Sequence, residues 1–294
     1  MKVMIPVILT AMILIGMFCI LLSCSPLIIT NESPGVLVSH TSNDKSSSEY
    51  QVIDQGPYEE WIENRRFLWK HPPSPPPSTG YPVLLVLHGA SQDAEAWFKY
   101  PHGMLWQGRQ TRFVNEALLQ GFCVIAPDSL YPITPGPKAW DVFATTLEES
   151  LDLPFFANLF QWITTAPITL DCNRMYCIGF SSGGFMTSRL AHYFGPLFTA
   201  VAVHSGANAD VITLGDWGPE FDCSSPQNFS PNHPPCLIIH GGKDHLVPPE
   251  CGVHFYEELQ RGEIDSHLLF CSWGRHIWLS WYNDAIFDWF TTHT

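Results

Sequence analysis

From residue 82 onward, six short and almost continuously apolar runs punctuate the chain: Pro82–His88, Phe122–Pro127, Met175–Phe180, Ala200–His204, Cys236–His240 and His267–Ser272. Runs of that length without polar alternation suit parallel strands covered on both faces. Between them the apolar period lengthens to that of a helix. Phe156, Leu159, Phe160 and Ile163 share one face, and so do Met186, Leu190, Tyr193 and Leu197. The terminal segment lines up Trp278, Trp281, Tyr282, Ala285, Ile286, Trp289 and Phe290. Strand and helix in alternation predict an α/β fold with a mainly parallel central sheet and helices on both faces. In such sheets functional groups gather beyond the C-terminal ends of the strands.

The N-terminus breaks the pattern. Lys2 is the sole charge before an apolar run from Val3 to Leu22, closed by Ser23 and Cys24. Residues 1–24 therefore read as a targeting segment. Leu21-Leu22-Ser23-Cys24 resembles a bacterial lipobox, which would lipidate Cys24 and tether the protein to a membrane. An ordinary cleaved signal peptide and an uncleaved anchor are the other two readings. All three export the remainder. Residues 25–50, rich in Ser, Thr, Asn and Pro, read as a flexible linker, and 51–294 as the catalytic domain. His71–Gly80 carries five prolines and must be a loop, and no internal repeat is visible.

Charge and cysteines narrow the partners. With 28 acidic against 14 basic residues, the net charge of −14 argues against a nucleic-acid or anionic-lipid partner and favours an uncharged substrate. Nine cysteines fit an oxidising compartment. Cys123 and Cys177 fall inside apolar runs and read as buried thiols, whereas Cys223, Cys236, Cys251 and Cys271 lie near loops and are candidates for one or two bridges. Spacing does not give their connectivity. No CxxC or HxxxH pattern points to a metal, and no cofactor is expected. Asn31-Glu32-Ser33 and Asn228-Phe229-Ser230 match the glycosylation sequon, which matters only in a cell that glycosylates.

The candidate chemistry centres on Gly179-Phe180-Ser181-Ser182-Gly183. A Gly-x-Ser-x-Gly pattern arises by chance in about one chain in ten of this length, so its context decides. Here it joins a strand-like run to a helical one, the setting of a nucleophile elbow that lifts a serine hydroxyl above the sheet. A glycine-rich turn with a helix-capping serine is the plainer alternative. A serine nucleophile needs a base, and the base needs an orienting acid, in the chain order Ser, Asp or Glu, His. Asp244 follows the run Cys236–His240, and His276 follows the run His267–Ser272. Asp210, Asp216 and Asp222 compete for the acid but follow no strand, and Asp265 precedes one. His240 and His245 compete for the base and read as structural, as does His88. The oxyanion hole requires two backbone donors. Ser182 is expected to supply one, and Ala90, with Ser91 as alternative, the other. The connections 131–153 and 206–235 read as partial lids over an open cleft, with Trp140, Trp217 and Trp273 as candidate substrate-binding walls.

These blocks resemble the esterase/polyhydroxybutyrate-depolymerase family of α/β-hydrolases, which includes feruloyl and acetyl-xylan esterases, from about Asn64 to the C-terminus. Arg66–Lys70 looks like that family's first strand, Leu87-His88-Gly89 like its oxyanion loop, and Asp171–Tyr176 leading into Gly179–Gly184 like its most specific block. His240-Gly241-Gly242-Lys243-Asp244 and Gly274-Arg275-His276-Ile277-Trp278 are similar to its acid and base loops. The family often has Cys after His-Gly, where this chain has Ala90, and Lys138–Asp141 matches its aromatic loop only loosely. The resemblance implies an α/β-hydrolase fold and an exported serine esterase using Ser181, Asp244 and His276 on small or polymer-linked esters. A serine peptidase of prolyl-oligopeptidase type and a non-catalytic surface protein on this scaffold are the alternatives.

Overall fold

Tyr81–Leu87 is buried along its whole length, which requires a covering layer on each face. The computed structural model describes residues 56–99, 108–132, 138–144, 146–216 and 218–294. The targeting segment with Cys24, the linker 25–50 and Trp217 lie outside the described residues. Eight strands form one sheet: β1 (Tyr58–Ile62), β2 (Arg65–Lys70), β3 (Tyr81–Leu87), β4 (Cys123–Pro127), β5 (Leu170–Phe180), β6 (Ala200–His204), β7 (Cys236–Gly241) and β8 (Ser266–Cys271). Their spatial order is β1-β2-β4-β3-β5-β6-β7-β8, with β2 antiparallel to both neighbours and every other pairing parallel. This is the mainly parallel sheet predicted from the apolar runs.

Alternation along the strands sends side chains to two separate cores. Val83, Leu85 and Leu87 of β3 join Phe156 and Leu159 of α2 (Leu153–Thr165), Met186 and Leu190 of α3 (Ser182–Phe194), and Phe255 and Leu259 of α4 (Pro249–Arg261). Leu84 and Val86 join Phe113 and Ala117 of α1 (Gly108–Leu119), and Ile286 and Phe290 of α5 (Asn283–Thr292). Each fully buried aliphatic side chain of this kind contributes roughly 1.5–3 kcal/mol.

Several expectations are refined. Arg66–Lys70 lies in the second strand, because β1 precedes it. β5 starts at Leu170 rather than Met175, and its polar first half pairs with β3 through a register shift between Pro82 and Val83. The terminal helix begins only at Asn283, so Trp278 belongs to the loop before it. Cys223 and Cys251 form a disulfide between the 206–235 connection and α4. Cys236 and Cys271 are instead buried free thiols. Their register explains this: Cys236 faces Ser266 at one end of the β7–β8 ladder and Cys271 faces Gly241 at the other. A buried ion pair of Arg65 with Asp152, which also accepts the Asp141 N–H at 2.6 Å, anchors the 138–153 connection. Among the described residues no helix is long and apolar enough to cross a membrane.

Candidate active site

Ser181 sits between β5 and α3, where the chain must reverse almost within one residue. A Cβ on Gly179 would lie 1.9 Å from the Gly183 carbonyl oxygen, and one on Gly183 would lie 2.3 Å from the Leu87 carbonyl oxygen. Only glycine fits at either position. Ser181 itself takes φ 56° and ψ −120°, a conformation costing a side-chain-bearing residue roughly 1–3 kcal/mol. The surroundings hold it there: its N–H donates to the His204 carbonyl at 2.9 Å, and its carbonyl accepts from Gly184 at 2.8 Å. Its side chain makes no helix-capping bond.

The hydroxyl points instead to His276, with Oγ 2.9 Å from Nε2. The other ring nitrogen, Nδ1, lies 2.6 Å from Oδ2 of Asp244. A carboxylate only accepts, so Nδ1 carries the proton and Nε2 is free to accept from Ser181. Asp244 is buried, and burial alone would raise its pKa. Hydrogen bonds from His240 and His276 and the backbone N–H of Val247 outweigh that, holding the carboxyl well below the usual carboxylate range. Its Oδ1 also accepts the Leu246 and Val247 N–H groups at 2.9 Å each.

Three further histidines, all fully buried, frame this chain. His204 was absent from the candidates read in the sequence. Its Nε2 accepts the Leu279 N–H at 2.9 Å, its Nδ1 donates to Ser205 Oγ at 3.1 Å, and its ring stacks on Trp278 at 4.5 Å. His204 thus grips the nucleophile through its carbonyl and the segment after His276 through its ring. Its burial and the neighbouring His240 and His276 hold its pKa well below the ordinary value. The one signal for it was position, a polar residue ending an apolar strand beside that of the nucleophile. His240 Nε2 lies 3.2 Å from the Val247 carbonyl and 3.5 Å from Asp244 Oδ2. His88 accepts the Ser129 N–H at 3.1 Å and donates to the Gly89 carbonyl at 2.8 Å, in the structural role expected of it.

The oxyanion loop after β3 separates the two candidate donors. The Ser91 N–H is taken, donating to the Lys138 carbonyl at 2.8 Å, which leaves the Ala90 N–H as the remaining candidate from this loop. Trp140 is 0% exposed: its indole N–H donates to the His88 carbonyl at 2.8 Å, and its backbone N–H donates to Ser182 Oγ at 3.2 Å. It therefore props the loop from beneath and offers no face to a ligand, a correction to its expected place in the cleft wall. Its burial follows from packing against His88 and Phe156, which sequence position does not reveal. Trp273 is 61% exposed and stacks on Trp281 at 4.6 Å, close to His276 in the same loop. The competing acids lie elsewhere: Asp210 pairs with Arg189, Asp222 accepts from Ser224 and Ser225, and Asp265 pairs with His293.

Comparison with known proteins places these features in context. Residues 152–293 match the Prolyl oligopeptidase family. The chain is 30% identical over 240 residues to a poly(3-hydroxyoctanoate) depolymerase of Pseudomonas fluorescens, covering 79% of this chain and 81% of that one. It is 28% identical over 198 residues to feruloyl esterase B of Thermothelomyces thermophilus, covering 59% and 62%. The fold superposes on an acetyl xylan esterase from Aspergillus awamori with a TM-score of 0.57 at 17% identity, covering 78% of this chain and 94% of the other.

Proposed function

Since the chain belongs to the esterase and polyhydroxybutyrate-depolymerase family of α/β-hydrolases, it is a carboxylic-ester hydrolase, and we propose that it works through an acyl-enzyme on Ser181. The observation that carries this reading is the unbroken hydrogen-bond chain from Ser181 to His276 to Asp244, at 2.9 and 2.6 Å. As the Ser181 oxygen attacks the ester carbonyl, its proton passes to Nε2 of His276, and Asp244 stabilises the imidazolium. The negative charge on the former carbonyl oxygen falls to the N–H groups of Ser182 and Ala90. Collapse expels the alcohol, which takes the proton from His276. Water, activated by the same ring, then releases the acid and restores the serine. The fixed elbow and the ionised Asp244 mean that little has to reorganise when substrate arrives.

The names of the relatives support feruloyl, acetyl or polyester substrates, and Trp273, exposed in the same loop as His276, offers an aromatic surface for them to rest on. The N-terminal pattern supports export, with Cys24 as the point of lipid attachment. An amidase activity on the same residues is the second reading, favoured by the match to the Prolyl oligopeptidase family. Assaying p-nitrophenyl esters, feruloyl esters and aminoacyl anilides with wild type and Ser181→Ala separates these readings. Ester turnover is expected to fall by about 10⁶ in the variant. Ester activity surviving the substitution would overturn the mechanism, and anilide turnover exceeding ester turnover would favour the peptidase.

A further inference from the structure

The oxyanion loop after β3 is held peptide by peptide. In the unit joining His88 to Gly89, the carbonyl accepts from the Trp140 indole at 2.8 Å and the N–H donates to Oε1 of Gln92 at 2.8 Å. In the unit joining Gly89 to Ala90, the carbonyl accepts from His88 Nδ1 at 2.8 Å and from the Gln92 N–H at 3.2 Å. In the unit joining Ala90 to Ser91, the N–H donates to the Lys138 carbonyl at 2.8 Å. The Ala90 N–H is thus the one backbone donor of residues 89–92 that has no acceptor among the described residues. The loop lies against the elbow. A Cβ on Gly89 would fall 3.1 Å from the ring of Phe180, the residue before Ser181, and one on Gly183 would fall 2.7 Å from the His88 carbonyl oxygen.

Gln92 therefore grips Gly89 from both sides, its side chain on the N–H and its main chain on the carbonyl. A peptide unit is planar and trans, so its N–H points opposite to its C=O. Fixing the Gly89 carbonyl fixes the direction of the Ala90 N–H. Gly89 has no Cβ to restrict its own torsions, so the constraint has to come from partners. The same contacts settle the Gln92 amide: Oε1 accepts the Gly89 N–H, and Nε2 donates to Oε1 of Gln110 at 3.0 Å. Gln110 stands in the first turn of α1 and is 2% exposed. Gln92 is only half-buried, and without that partner its amide would be free to turn to water.

Resting on the acyl-enzyme reading above, we propose that Gln92 and Gln110 are positioning residues for the oxyanion hole. Gln92 aims the Ala90 N–H at the oxygen that becomes negative when Ser181 attacks, and Gln110 acts through Gln92 alone. Were the Gly89–Ala90 peptide to turn over, its carbonyl would take the place of the N–H and repel the developing charge. A donor aimed in advance favours the transition state over the bound ester, because the ester carbonyl becomes a strong acceptor only as it is attacked.

The test combines steady-state kinetics on p-nitrophenyl butyrate with the affinity of an alkyl trifluoromethyl ketone, whose hemiketal oxyanion on Ser181 mimics the tetrahedral intermediate. Gln92→Leu should lower kcat by roughly 10- to 100-fold with KM changed less than about threefold, and should weaken the ketone by the same factor as kcat/KM. Gln92→Asn, whose shorter amide falls short of the Gly89 N–H, should behave alike, and it replaces the leucine variant if that one does not fold. Gln110→Leu should show a smaller loss of the same kind, with no further loss when it is added to Gln92→Leu. Purely structural residues would give losses that add and that follow the melting temperature, with no split between kcat and KM. Unchanged kcat in the Gln92 variants, a loss carried by KM, a ketone affinity that stays as in wild type, or additive losses would each overturn the inference while leaving ester hydrolysis intact. Failure of wild type to hydrolyse the ester, or turnover that survives Ser181→Ala, would overturn the acyl-enzyme reading itself and this inference with it.

Discussion

At the elbow, backbone atoms press so closely that Gly179 and Gly183 admit no side chain, and Ser181 is held at a positive φ by bonds to its own main chain. In the loops carrying Asp244 and His276, no described non-glycine residue of 242–248 or 272–279 has a positive φ. There the geometry rests on side chains: Asp244 collecting N–H groups, and His240 and His204 bracing the loops from below. The nucleophile is therefore fixed by sterics, and its partners are fixed by hydrogen bonds. Sterics fail all at once, whereas hydrogen bonds fail selectively and with pH.

Three substitutions or conditions press on that contrast. Gly179→Ala should be the most damaging, because the new Cβ would fall 1.9 Å from the Gly183 oxygen. We expect more than about 4 kcal/mol of lost stability, with activity disappearing together with the fold. Thermal unfolding and titration with a serine-reactive phosphonate check this, and a variant that melts like wild type would break the steric half of the comparison. Asp244→Asn should spare the fold, since Oδ1 can still accept the Leu246 and Val247 N–H groups. It places an amide N–H opposite His276 Nδ1, favours the wrong tautomer, and should lower kcat by about 10⁴ with little change in melting temperature. An equal loss of stability and activity would instead mark Asp244 as a structural residue.

The smallest effect concerns pH. His88 and His204 are fully buried, and burial lowers the pKa of each below the ordinary 6.5, so the native state binds fewer protons than the unfolded chain below that pH. Stability should then fall as the medium is acidified below 6.5, by about 1.4 kcal/mol per pH unit for each such histidine until its native pKa is reached. Urea unfolding across that range should show a slope shallower by about one proton in His204→Gln. An unchanged slope would remove His204 from the groups that hold the loops through a neutral ring.

The contrast also explains what could be read in the sequence. Strands β3, β4, β6, β7 and the second half of β5 were legible because burial on both faces leaves uninterrupted apolar runs, and the half-exposed edge strand β8 because its own run is apolar all the same. The elbow was legible because sterics leave glycines behind. β1 was not, since its half-exposed residues Tyr58–Ile62 carry no such run. His204 and the burial of Trp140 depend on partners far away in the chain, Leu279 and Trp278 for one, His88 and Phe156 for the other. Connections of that kind have no local signature. The Cys223–Cys251 pairing is of the same sort, because it is set by where the 206–235 connection crosses α4.

The strand order carries one more consequence. β3, β5, β6, β7 and β8 are consecutive neighbours, and from their ends come Ala90, Ser181, His204, Asp244 and His276 in turn. A change in the twist or bend of that sheet is a common-mode motion: it carries all five groups along together and leaves their separations nearly as they were. Only differential motion, one loop shifting against its neighbour, detunes the site. The framework can therefore drift in sequence and shape across a wide range while the spacing that matters is policed by a few loop residues.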